Sequence, residues 1–390
     1  MPGGAGSPPA PWLEVSVPMR RPPGGAEPPF LRTLAGDFRR VRDDVRRTGY
    51  RESFRRTVAD LDEFYLPERS RERLAGMGAV RRWFWRSWWL FKALVLALTP
   101  ARRVLLLLAF VLLWVASQGG PDVSHPNRNA GLLSLVILLV VLMLELKDKI
   151  LARDELEDGR AVQRALLPEP SPEVPGWDVW LSSRPANDVG GDLVDLLKLS
   201  GERVALVLAD VAGKGLGAAL LMAKLQATVR ALAGEAHSLA DLGERVNGIL
   251  HRDGLPNSFA TLVYLDVERE SGRIRLVNAG HMPPLVFRGA TITELARGGI
   301  ALGITHPASF EEQTVELGPG ETLLVYSDGV TEAMDASGEL FGEERLRAIL
   351  PGLSTLAPRE MAARLVAAVD AFVGCAPVHD DLSLLILRRR

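Results

Sequence analysis

Residues 203–215 read RVALVLADVAGKG. The apolar run from Val204 to Ala209 has the length of a strand, and its valines and leucines suit a pleated sheet. It stops at Asp210, and a glycine-bearing turn leads into a helical pattern over residues 215–233. Working outward, the same texture recurs. WDVWLSS, DLVDLLKL, ATLVYLDV, RIRLVNAG, PLVFRG, ETLLVYSD and LSLLILRR are further runs of strand length between turn residues. Two more helical patterns lie at 239–250 and 359–372. Links as short as Glu270-Ser271-Gly272 and Gly318-Pro319-Gly320 predict antiparallel pairing. Residues 169–390 are therefore expected to form an α+β domain of layered antiparallel sheet and helix, without the strand–helix alternation of a dinucleotide fold.

The strand ends carry acids. RVALVLAD ends on Asp210 and ETLLVYSD on Asp328, while GGDLVD supplies Asp192 and Asp195 and HDDLSLL supplies Asp380 and Asp381. One aspartate beside a turn means little. Four clusters abutting strands that should be central predict several carboxylates in one small volume. Such a group repels itself unless cations sit within it. An all-oxygen donor set suits Mg²⁺ or Mn²⁺.

The bulk numbers exclude other classes. Lys and Arg number 46 against 48 Asp and Glu, a net charge of -2, so no overall field points to nucleic acid. The one cysteine, Cys375, excludes an internal disulfide and a cysteine-based zinc cage, and is read as an incidental buried residue. Gly213-Lys214-Gly215 does not meet the phosphate-loop pattern and reads as a turn that starts a helix. His281 is open to two readings, a general acid or a structural residue at a strand end. Residues 334–342 read as a loop that lies over the site.

The N-terminal half has another character. Residues 1–30 are dense in Pro and Gly and read as a disordered tail. Residues 31–100 form a basic juxtamembrane region with amphipathic helical spacing, Phe38, Val41 and Val45, then Phe54, Val58, Leu61 and Phe64. No acid occurs between Glu72 and Asp122, and Arg81, Arg82, Trp83, Phe84, Trp85 and Trp88 mix cations with aromatics as at lipid headgroups. Apolar runs at 104–117 and 130–146 predict a two-helix transmembrane hairpin over 101–147, joined by PDVSHPNRN. Arg102, Arg103, Lys147 and Lys149 flank the hairpin, so both termini are expected on the cytoplasmic side of a bacterial inner membrane, in contact with its lipid. Residues 148–168 continue as a helical stripe. It reads equally as a passive spacer or as a signalling helix that makes a homodimer.

PANDVGGDLVD, LADVAGKGLGAALLMA, NAGHMPPL, YSDGVTEA and HDDLSLL, in that order, resemble bacterial PPM-type (protein phosphatase 2C-like) serine/threonine phosphatases, more closely the SpoIIE-type branch. The lead-in QRALLPEPSPEVPGW is similar too, so the resemblance covers residues 161–390. It implies an antiparallel β-sandwich flanked by helices, two Mn²⁺ or Mg²⁺ ions, and hydrolysis of phosphoserine or phosphothreonine by a metal-activated water. The implied substrate is a regulatory phosphoprotein such as an anti-sigma-factor antagonist. Carried over by position, Asp192 resembles the carboxylate bridging two metals, Asp210 an acid of the second metal's shell, and Asp328 and Asp380 the remaining ligands. Asp195, Val211 and Asp381 are further contributors, metal-bound or structural, as is the main chain at Gly191 or just after Asp192. Two other classes stay open: a membrane-tethered module that binds phosphoproteins without turnover, and a nucleotide phosphohydrolase.

Overall fold

The computed structural model describes residues 78–118, 126–199, 203–254 and 258–390. The tail of 1–30, the helical expectation for 31–77 and His125 lie outside the described residues. The chain divides into two compact units, with the division between Leu144 and Glu145.

The first unit holds α1 (Ala79–Ala97), α2 (Pro100–Ser117) and the start of α3 (Pro126–Leu166), whose residues from Glu145 on belong to the second unit. Pro100 and Pro126 each open a helix, where a missing N–H costs nothing. The expected connecting loop is thus shortened, because its last residues form the first turn of α3. Helices α2 and α3 are long and apolar enough to cross a membrane by length and composition. Leu107, Trp114, Leu135 and Leu142 are exposed, as expected of a surface that meets lipid rather than a protein core. The two helices touch through small residues. Ser134 Oγ donates to the Ala109 carbonyl at 2.8 Å, and a Cβ on Gly131 would lie 3.6 Å from that of Ala116. Helix α3 has 41 residues, about 60 Å at the usual rise, roughly twice a hydrocarbon thickness. Its apolar first half and charged second half, expected as separate segments meeting at 147/148, are one uninterrupted helix.

The second unit holds two five-stranded antiparallel sheets. One has the order β1 (Trp177–Arg184), β10 (Leu382–Arg389), β9 (Thr322–Tyr326), β6 (Leu285–Arg288), β7 (Thr291–Glu294). The other runs β2 (Leu193–Lys198), β3 (Arg203–Val211), β4 (Ala260–Glu268), β5 (Arg273–Ala279), β8 (Glu312–Glu316). Strand β3 shows why they stack. Val204, Leu206 and Leu208 enter the core between the sheets, with Val263, Leu265, Leu323, Val325, Leu385 and Leu387. Ala205, Val207 and Ala209 point the other way, against Met222, Leu225 and Val229 of α4 (Leu216–Leu232) and Leu242, Val246 and Leu250 of α5 (Leu239–Asp253). The outer face of the first sheet packs Trp180, Leu324 and Ile386 on Leu346 of α6 (Gly342–Ile349) and on Met361, Leu365 and Val369 of α7 (Pro358–Val373). With helices on both outer faces, central strands are buried on both sides and read as continuous apolar runs.

Three expectations change. The Gly318-Pro319-Gly320 turn does not close a hairpin; it carries the chain from β8 in one sheet to β9 in the other. The 334–342 loop contains a bridge between Met334 and Leu340. Cys375 is exposed, not buried, because it follows the end of α7 on the surface.

Candidate functional site

Register brings the acids together in pairs. Leu193 of β2 faces Ala209 of β3, so Asp192, one residue before β2, and Asp210, one residue past Ala209, lie across from each other. In the other sheet Leu384 faces Tyr326, and the Ser327 N–H donates to the Ser383 carbonyl at 3.0 Å. Asp328 and the Asp380-Asp381 pair therefore leave that sheet at the same end. The two carboxylate pairs meet at the sandwich edge, since the charges of Asp380 and Asp381 both act on Asp210.

Asp192 is buried and its Oδ2 makes no hydrogen bond. Burial, then the neighbouring Asp210, raise its pKa well above the usual carboxylate range, against the opposing Ser383 and Ser327 hydroxyls. Burial, then Asp380, push Asp210 up to about 6. Burial, then Asp210 and Glu332, push Asp328 up to about 7. Burial leads in all three, and neighbouring carboxylates add to it.

Asp381 acts on the backbone. Its carboxylate accepts from the Ala186 N–H (2.7 Å), the Gly191 N–H (2.6 Å) and the Asp192 N–H (3.3 Å). It occupies the space a side chain at residue 190 would need: a Cβ on Gly190 would lie 2.4 Å from Asp381 Oδ2. Gln163, near the end of α3, grips the same loop from the other side. Its Nε2 donates to the Gly190 carbonyl at 2.7 Å and its Oε1 accepts the Gly190 N–H at 3.1 Å. Gln226 of α4 donates to the Leu166 carbonyl at 3.0 Å, so the end of α3 is itself pinned. The loop bearing Asp192 is thus clamped between β10 and α3.

Asp195 does not join the cluster. Both its oxygens accept from Arg230 of α4, at 2.8 and 2.7 Å, which neutralises a buried carboxylate in place. The carbonyl of Val211 faces Gly191, 2.9 Å from where a Cβ on that glycine would stand. His281 is buried; its Nδ1 accepts from the Thr261 hydroxyl at 2.7 Å and its Nε2 donates to the Tyr326 carbonyl at 3.1 Å. Burial pulls its pKa down to about 4, so it is a neutral strut between the sheets with no proton to give. Thr261 faces Asp210 in the ladder and Tyr326 lies two residues before Asp328, so His281 spaces the two strand ends that carry those acids.

Reading the strands alone missed Glu332, whose charge reaches Asp210 and Asp328. Its signal was present, an acid four residues after Asp328 in the quoted YSDGVTEA. The Gln163 clasp spans 27 residues and had no local signal.

The donor set fits a hard divalent cation. It is all oxygen, it contains one buried orphan oxygen, and its mutual repulsion would be relieved by positive charge. Among the described residues no group of three or more acid, histidine or cysteine side chains is placed to hold one metal ion, so at most two such side chains would reach any one cation and water would have to fill the rest of its shell, as it commonly does for Mg²⁺.

The model of the family Stage II sporulation protein E (SpoIIE) matches residues 200–390. That segment belongs to the SpoIIE family. The protein IcfG of Synechocystis sp. is 31% identical over 230 residues, 52% of this chain and 36% of that protein. The phosphoserine phosphatase RsbU of Bacillus subtilis is 26% identical over 242 residues, covering 61% and 71% of the two chains. The chain thus spans about a third of the length of IcfG. Among solved structures the SiaA-PP2C domain of Pseudomonas aeruginosa superposes with a TM-score of 0.55 at 21% identity, covering 62% of this chain and 99% of that domain. The SpoIIE-type domain here therefore has the PP2C fold, with its antiparallel sheets between helical layers.

Proposed function

We propose that the protein is a membrane-anchored phosphatase that removes phosphate from serine or threonine of a regulatory phosphoprotein, with two Mn²⁺ or Mg²⁺ ions held by Asp192, Asp210, Asp328 and Asp380. The observation that carries this reading is the buried, orphaned Asp192 Oδ2 with Asp210 beside it, and the mutual influence of Asp210, Asp328 and Asp380 at the same strand ends. Bound divalent cations would supply an activated water and neutralise charge on the phosphoryl oxygens. The chain's own part is placement. Asp381 and Gln163 fix the Gly190-Gly191-Asp192 loop, and His281 sets the spacing between the strand ends bearing Asp210 and Asp328. The Val211 carbonyl is the main-chain oxygen best placed to join the donors.

The relatives named as phosphoserine phosphatases, RsbU and RsbP of Bacillus subtilis, support phosphoserine as the group attacked; an anti-sigma-factor antagonist as its carrier is what the motif resemblance implies. The two long apolar helices support an anchor in the inner membrane with the catalytic domain in the cytoplasm. Helix α3 supports regulation, since its last turns hold the Asp192 loop; dimerisation along it would bias that hold. The test is phosphate release from a phosphoserine peptide by the full chain in detergent. Release that needs Mn²⁺ or Mg²⁺ and disappears in Asp328→Asn supports the reading, and release that persists in a chelator refutes it.

A further inference from the structure

The turn between β3 and α4 carries a cation that the metal site does not use. Gly213 and Gly215 both take positive φ, 110° and 72°, and a Cβ on either would meet nothing within 4 Å. Lys214 therefore stands on a projecting turn with room on both sides. Its ammonium lies 3.6 Å from Asp380 Oδ2 and donates to the His379 carbonyl. The side chain is 57% exposed and its acidic partner 37%. It lines a cleft with Asn187, Gly191, His379, Asp380 and Asp381, so it overlooks the acids from the solvent side. The other cation beside Asp380 is differently engaged: Arg184 is tied to Asp370 at 3.0 and 2.8 Å.

We propose that Lys214 is the residue that receives the phosphoryl dianion of the substrate, exchanging its contact with Asp380 for one with the phosphate. The inference rests on the phosphatase reading. An acidic centre repels an incoming phosphate, and a cation at its mouth offsets that repulsion. The Lys214–Asp380 pair suits such an exchange, because an exposed pair at this separation holds weakly and a phosphate dianion is a stronger acceptor of a charged hydrogen bond. The first turn of α4 adds to the attraction. It carries no acid and no side-chain cap, and its N-cap residue Gly215 lines the same cleft.

The test compares the full chain with Lys214→Ala and Lys214→Arg in detergent with Mn²⁺. Two readouts are used: hydrolysis of a phosphoserine peptide, and calorimetric binding of inorganic phosphate, which needs no turnover. In Lys214→Ala both KM and the phosphate dissociation constant should rise about tenfold, the loss of one charge-assisted contact. The larger part of the loss should fall in KM rather than kcat, Lys214→Arg should recover most of it, and the Mn²⁺ concentration for half-maximal activity should not move. Unchanged phosphate binding in Lys214→Ala would overturn the proposal, as would a shifted Mn²⁺ requirement with KM intact, which would mean the lysine acts only through Asp380. If the wild type binds phosphate through Lys214 yet releases none from the peptide, the phosphatase reading fails and the assignment of Lys214 stands.

Discussion

The two ends of sheet β2-β3-β4-β5-β8 treat a buried aspartate in opposite ways. At one end Asp266 is gripped by Arg203 at 2.9 Å and by Arg275, and Asp195 part-way along β2 is gripped by Arg230. At the other end Asp192 is buried as deeply, at 3% exposure against 2% for Asp266, and has the Asp210 and Asp381 carboxylates and the Ser383 and Ser327 hydroxyls beside it. Burial is the same; the counter-charge differs. The fold pairs Asp266 and Asp195 with arginine, holds Asp381 with backbone N–H groups, and sets Asp192 beside other acids, an edge that would suit a cation from solution. On the proposed function, the buried acids cost stability in the metal-free protein, and relief of that cost would strengthen metal binding.

Substitution should therefore have opposite effects at the unpaired and at the arginine-paired aspartates. Asp210→Asn should lower phosphate release about a thousandfold or more, measured as kcat with saturating Mn²⁺, while leaving the metal-free protein at least as stable as the wild type. At the paired site Arg230→Ala should destabilise by about 2–3 kcal/mol in urea unfolding of the full chain, because a buried Asp195 loses its partner. Its activity per folded molecule should hold. If the two variants behaved alike, the contrast between the ends would be lost.

The contrast also has a pH signature. Asp210 and Asp328 hold protons in the folded protein up to about 6 and about 7, whereas the unfolded chain releases them near 4. Across that window the folded state binds more protons, so the stability present below about pH 4 is lost as pH rises through 6 and 7. The melting temperature of the metal-free protein should fall between about pH 5 and pH 8, and Mn²⁺ should reverse the fall. A melting temperature that rises across that range would contradict the burial of unpaired acids.

A smaller effect sharpens the role of α3. Gln163→Ala leaves the Gly190 N–H and carbonyl without their partners and should cost about 1–2 kcal/mol, together with a several-fold rise in the Mn²⁺ concentration for half-maximal activity. If only stability changed, the clasp would be a structural contact without influence on the metal loop.

Much of this architecture is written in local pattern. The eight apolar runs all became strands, because being buried on both faces demands continuous apolar sequence. Strands β7 and β8 escaped notice for the converse reason. Both lie at sheet edges, TITE is largely exposed, and in EQTVE only Val315 is buried. The acids at the ends of β3 and β9 were legible because each closes an apolar run. Which acid is paired was not legible: Asp192 and Asp195 share the six residues GGDLVD, and only tertiary packing brings Arg230 to one of them. The partners of Asp381 were equally hidden, since they lie 189–195 residues away.

The most direct test of the central claim is calorimetric titration of Mn²⁺ into the full chain in detergent at about pH 8, above the values of about 6 and about 7 for Asp210 and Asp328. Wild type, Asp192→Asn and Arg230→Ala would be compared. The account predicts saturable binding to the wild type and to Arg230→Ala, and its loss in Asp192→Asn. Equal binding by Asp192→Asn and the wild type would contradict it.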